Sequence, residues 1–115
     1  MPAHVSNGTG VGALALMLAV IAAPAAAQTA GDPVHGKEVA DASCARCHAV
    51  EAGETISAAT RAPTFQTIAD TPGMTPMALN VWLHSTHNEM PQLRLPAEDV
   101  DDLTAYIRGL KSKGE

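Results

Sequence analysis

The stretch Cys44-Ala45-Arg46-Cys47-His48 decides how this chain reads. Two cysteines separated by two residues and followed directly by histidine form the attachment pattern of a c-type haem. On one turn of helix both thiols point the same way, at a separation that suits the two vinyl groups of a porphyrin. Each thiol then forms a thioether, and the imidazole of the next residue supplies an axial ligand to the iron. The sequence has no further cysteine, so no other pairing competes.

Three plainer readings of the same residues fare worse. A structural zinc site takes four protein ligands, and a second pair at similar spacing is missing; only His84 or His87 could complete a tetrahedron. A thioredoxin-like redox pair follows a buried strand in a βαβ pattern. Residues 34–43 are instead rich in alanine and charge and read as helix. A structural disulfide would leave His48 without a role.

With 115 residues the chain has room for one small domain, and part of the length reads as a leader. Residues 11–23 are an apolar run, and Ala25-Ala26-Ala27 offers the small-x-small pattern of a signal peptidase site. The expected division is a cleavable signal peptide over 1–27 and a domain over 28–115. The apolar run is short for a bilayer span, so no permanent membrane anchor is expected. The segment before it has no lysine or arginine, an unusual start for an export signal. Thioether attachment of haem takes place outside the bacterial cytoplasm, which places the protein in the periplasm.

A domain of this size has a marginal core of its own, and Phe65, Trp82 and Tyr106 are its three aromatics. Small domains of this kind rely on a disulfide, a metal or a large cofactor. The formal charge is −5, with every Asp, Glu, Lys and Arg after the expected cleavage site. No basic patch suggests nucleic acid. The acidic balance would steer a partner with a positive docking face, and it equally describes a solvated surface.

In chain order, Asp32-Pro33 has the cap-then-proline chemistry of a helix start, and the spacing predicts a first helix over 33–45. Gly36 costs helix propensity and points to close packing of another helix. Residues 49–60 read as a loop. Phe65, Ile68 and Ala69 have the spacing of a short helix, broken by Asp70-Thr71-Pro72-Gly73. Thr75-Pro76 opens the next helix, with Leu79, Trp82 and Leu83 on its apolar face and Trp82 packed against whatever fills the core. If buried, the Trp82 indole N–H needs a partner, which a haem propionate would provide. Residues 85–96 form a proline-bounded loop. A last helix starts near Pro96 or Ala97 with an acidic first turn, an apolar stripe of Val100, Leu103, Ile107 and Leu110, and Tyr106 beside it. No segment alternates as a strand does, so the fold is expected to be all-α.

A sixth iron ligand has several candidates. Thioether sulfur raises the potential by favouring ferrous iron. Of Met74, Met77 and Met90, the last stands out, because Pro91 follows it in a long loop between two helices. His84 and His87 are rivals with imidazole donors.

These features together resemble the small, soluble, single-haem class I cytochromes c of bacteria, over nearly all of residues 36–110. Cys44-Ala45-Arg46-Cys47-His48 matches the attachment motif, Ala62-Pro63 the Gly/Ala-Pro element, Met90-Pro91 the axial methionine, and Leu103-Thr104-Ala105-Tyr106-Ile107 the last helix. The resemblance implies a cytochrome c-like fold of three to five helices wrapped around one covalently attached haem c. It implies that the Pro63 carbonyl accepts a hydrogen bond from the ligand imidazole, and that Gly36 faces the aromatic Tyr106 where the first and last helices cross. Ala40 stands where many members carry an aromatic, implying lighter packing there. The docking lysines of mitochondrial relatives are absent.

The implied function is electron transfer by a monomeric carrier, not an enzyme, between redox partner proteins that the sequence does not identify. Cys44, Cys47, His48, Met90, Pro63 and Trp82 are the expected haem contacts, with His48 and Met90 on the iron. Arg46, Arg61 and Arg94 are candidates for pairing with propionates. Two other functions remain open: a haem with a displaceable sixth site that binds or senses a small ligand, and the haem subunit of a periplasmic dehydrogenase.

Overall fold

A computed structural model describes residues 1–2, 31–87 and 89–113. The expected leader and its cleavage site lie outside the described residues. Four helices follow in order: α1 (Pro33–Ser43), α2 (Phe65–Asp70), α3 (Pro76–His84) and α4 (Ala97–Gly109). Pairing outside the helices takes the form of one isolated antiparallel bridge between His87 and Met90. The fold is all-α, with no strand among the described residues.

Three of the four helix starts follow from side-chain caps. Asp32 accepts from the Val34 N–H, Thr64 from Thr67 and Thr75 from Ala78, each satisfying an amide that the first turn leaves orphaned. Proline at the next position, with its φ already helical, reinforces the starts of α1 and α3. Pro96 precedes α4 without a side-chain cap; Glu98 and Asp99 in the first turn oppose the positive end of the helix dipole instead.

Helix α1 stops two residues earlier than its sequence suggests. The amides of Cys44 and Ala45 both reach the Ala40 carbonyl, at 2.8 and 3.1 Å, which widens and ends the helical ladder. The amides of Cys47 and His48 then both turn back to the Cys44 carbonyl at 3.0 Å. The cysteine motif therefore occupies its own tight turn at the end of the helix.

The core is centred on the crossing of α1 and α4. Ala40 and Leu103 are fully buried, with Val39, Cys44, Val50, Phe65, Ala69, Leu79 and Ile107 around them. Gly36 packs tightly against α4: an added Cβ would run into the backbone carbonyl of Asp102, one turn before Tyr106. Gly31 meets the carbonyl of Asp101 in the same way. The crossing is backbone against backbone, and the small Ala40 belongs to that geometry. Tyr106 donates its hydroxyl to the Val50 carbonyl at 2.8 Å, tying α4 to the segment after the cysteine motif.

Polar side chains fasten the periphery. Asp102 accepts both from the Asp32 amide (2.6 Å) and from His35 Nδ1 (2.7 Å), closing the α1–α4 crossing on its open side. That hydrogen bond raises the pKa of His35 and lowers that of Asp102. Gln66 on α2 donates to the Leu110 carbonyl at 2.7 Å, and Asp70 accepts from the Ser112 amide at 2.7 Å, so α2 is held to the end of α4.

Candidate haem site

The two cysteines and the histidine lie on one turn and differ in exposure. Cys44 is buried and Cys47 exposed, and both are free thiols. Burial pushes the Cys44 thiol up to about 11, so it is protonated at neutral pH. Cys44 belongs to the core cluster, whereas Cys47 lies at the surface of the same turn.

His48 is half-buried, and its ring has one fixed nitrogen. Nδ1 lies 2.7 Å from the Pro63 carbonyl oxygen. A carbonyl only accepts, so Nδ1 carries a proton, and the neutral tautomer that this bond selects has its lone pair on Nε2. A second contact fixes the ring plane: Phe65 packs against it at 5.6 Å between centroids and an angle of 50°. Phe65 is itself buried, and its amide donates to the Ala49 carbonyl at 2.9 Å. Thus the segment after the motif and the start of α2 hold the imidazole from two sides. A concavity of about 400 Å³ opens beside His48, with Ala45, Val50, Ile56 and Ala58 among its lining.

Met90 is half-buried in the loop between α3 and α4. Its amide donates to the His87 carbonyl at 3.1 Å, closing a tight turn. The other two candidate methionines differ from it: Met74 packs against the core, and Met77 on α3 is 78% exposed.

Trp82 lies on the flank of α3. It is 49% exposed and does not enter the protein core, whereas Leu79 on the same helix is 3% exposed. Its ring meets His87 edge-on, with centroids 4.7 Å apart and planes at 88°. The helical spacing that groups Trp82 with Leu79 does not distinguish the core-facing side of α3 from a flank one residue's rotation away.

His84 and His87 are engaged through Nδ1 with backbone carbonyls, of Asn80 (2.8 Å) and Ser85 (3.0 Å). Neither joins the cysteines: among the described residues no three His, Cys, Asp or Glu converge as a metal cage would require. Zinc therefore has no tetrahedral donor set here. The donors that are present fit a porphyrin better: two free thiols and an imidazole on one turn, with a half-buried thioether in a separate loop.

One contact near these loops had no signature in the sequence. Arg61, two residues before Pro63, pairs with Glu89, the neighbour of Met90, at 3.0 Å. It links the loop behind His48 to the loop of Met90, although both side chains are well exposed. The pairing joins positions 28 residues apart, with no periodicity to reveal it.

An all-α chain with one Cys-x-x-Cys-His turn and a carbonyl-bound imidazole defines a protein built to carry covalent haem. The chain belongs to the cytochrome c family, whose model (Cytochrome c) matches residues 33–111, as a small single-haem member of class I. It is similar to cytochrome c-552 of Bradyrhizobium diazoefficiens, 33% identical over 98 residues that span 85% of this chain and 92% of the relative. No solved structure matches it. Its cofactor is covalently attached haem c, and its role is electron transfer.

Proposed function

We propose that the chain is a periplasmic carrier of single electrons, exported by residues 1–27 and working as the monomeric domain 28–115. Cys44 and Cys47 would hold haem c through two thioethers, with His48 and Met90 as the ligands of its iron. When bound, the haem supplies a one-electron iron couple; the chain supplies ligands, orientation and surroundings that set its potential. The observation that carries this reading is the 2.7 Å hydrogen bond from His48 to the Pro63 carbonyl. It leaves Nε2 as the donor, fixes the ring, and increases the basicity of the ligand.

Each remaining residue has a defined part. The Met90 thioether favours ferrous iron and so raises the potential. Trp82, with about half of its surface free of protein contact, offers the cofactor apolar surface and an N–H donor. Because the ligands stay in place in both oxidation states, no substrate is bound and no bond is made or broken at the chain. An acidic surface of formal charge −5 suits redox partners with a positive docking face. Among the described residues no helix is long and apolar enough to cross a membrane.

The test is to make the full chain in a host that attaches haem c and to analyse the soluble periplasmic fraction. The expected product runs as a monomer, has the mass of residues 28–115 plus one haem, and is reduced reversibly by one electron. Retention of residues 1–27 in the membrane fraction would contradict the export reading. Ready carbon monoxide binding would favour the displaceable-ligand function instead.

A further inference from the structure

We infer that His87 is a positioning residue for Met90: its ring, braced on Trp82, holds the turn that presents the methionine. This inference rests on the reading of Met90 as an axial ligand. The route is short and continuous. Trp82 is on α3, whose backbone is fixed by its Thr75 cap and by buried Leu79. The His87 ring packs edge-on against the indole at 4.7 Å, an arrangement that aromatic quadrupoles favour. The same ring donates Nδ1–H to the Ser85 carbonyl at 3.0 Å, so it is anchored at two points. From there the His87 carbonyl accepts the Met90 amide at 3.1 Å, and the two residues form the isolated bridge.

The contact matters because little else orders this loop. Residues 91–96 lack regular structure, and the other tethers are the solvent-exposed Arg61–Glu89 pair, of a kind that contributes little, a long Gln92 Nε2 contact with the His84 carbonyl at 3.5 Å, and Leu95 packed on the core at the far end of the loop. A methionine ligand on a loosely held loop leaves the iron open to competing donors. The edge-on ring pair gives α3 a mechanical hold on the turn. Its chemistry is that of an aromatic contact and a neutral hydrogen bond, with no ligation by His87.

The test compares His87→Ala, His87→Phe and Met90→Ala in the mature haemoprotein, by the iron–sulfur charge-transfer band of the ferric form and by titration with imidazole. His87→Ala is expected to weaken the band and to bind imidazole roughly three- to ten-fold more tightly than the unaltered protein. His87→Phe, which keeps the edge-on ring, is expected to recover most of the loss. Met90→Ala is expected to abolish the band. If Met90→Ala does so while His87→Ala matches the unaltered protein, the inference fails and the ligand reading stands. Equal loss in the Ala and Phe variants would also overturn it, because the ring contact would then contribute nothing. A band that survives Met90→Ala would remove the ligand reading itself. Loss of the low-spin spectrum in His87→Ala alone would make His87 the ligand.

Discussion

His48 Nδ1 lies 2.7 Å from the Pro63 carbonyl oxygen, and this bond joins the cysteine turn to a loop fifteen residues further on. Proline restricts that loop, so its carbonyl is held where the imidazole N–H points. Replacing Pro63 by glycine keeps the carbonyl but frees the backbone that aims it. The variant is expected to have a weaker hydrogen bond, a less basic imidazole and a reduction potential displaced upward, measurable by redox titration. An unchanged potential would show that Pro63 does not position its carbonyl.

Gly36 gives the clearest prediction of stability. An added Cβ meets the Asp102 backbone, which has no flexible end to move aside, so Gly36→Ala is expected to force α1 and α4 apart. The cost should be at least about 2 kcal/mol, read from the denaturant midpoint. Gly109, at the other end of α4, has open space around its Cβ position. There alanine should be neutral or stabilise by up to about 1 kcal/mol through helix propensity. Equal effects at the two positions would contradict the close crossing.

The sequence makes much of this legible. Capping residues, prolines and apolar spacing place the four helices, because those signals act locally on the backbone. Gly36 announces a close approach by its very cost. What it approaches is not local information: the partner is the main chain of Asp102, on a helix far along the sequence. Cys44, Cys47 and His48 are legible because attachment chemistry demands fixed spacing. The His87–Trp82 and Arg61–Glu89 contacts arise only once loops of different lengths have folded together.

The His35–Asp102 pair predicts a pH-dependent contribution to stability. The Asp102 hydrogen bond raises His35 above its ordinary value of 6.5, with Asp99 at 3.9 Å and Glu38 on α1 adding to the effect. A raised histidine stabilises the fold fully below its unfolded pKa, and the contribution is lost as pH rises through the folded pKa. Asp102, lowered from 3.8, contributes above its unfolded pKa and loses that contribution as pH falls through the folded one. The pair is therefore most stabilising between about pH 4 and 6.5. His35→Gln should remove the decline above 6.5, and thermal unfolding across that range measures it. A parallel decline in both proteins would assign it to other groups.

Among the described residues, Thr104 carries a cost within the core. Its residue is 8% exposed, and its hydroxyl oxygen has no hydrogen-bond partner. Thr104→Val replaces that hydroxyl with a methyl group of similar size. The variant is expected to be about 1 kcal/mol more stable, equivalent to roughly 4–8 °C in Tm for a domain of this size. A lower Tm would show that the hydroxyl is satisfied in solution.

The proposed ligation of one covalent haem by His48 and Met90 has a direct spectroscopic signature. The most direct measurement is the visible spectrum of the mature protein, oxidised and then reduced, with and without Met90→Ala. The account predicts sharp low-spin bands on reduction and a weak iron–sulfur charge-transfer band in the oxidised form, the latter lost in the variant. A high-spin spectrum in the unaltered protein, shifting on addition of carbon monoxide, would contradict it.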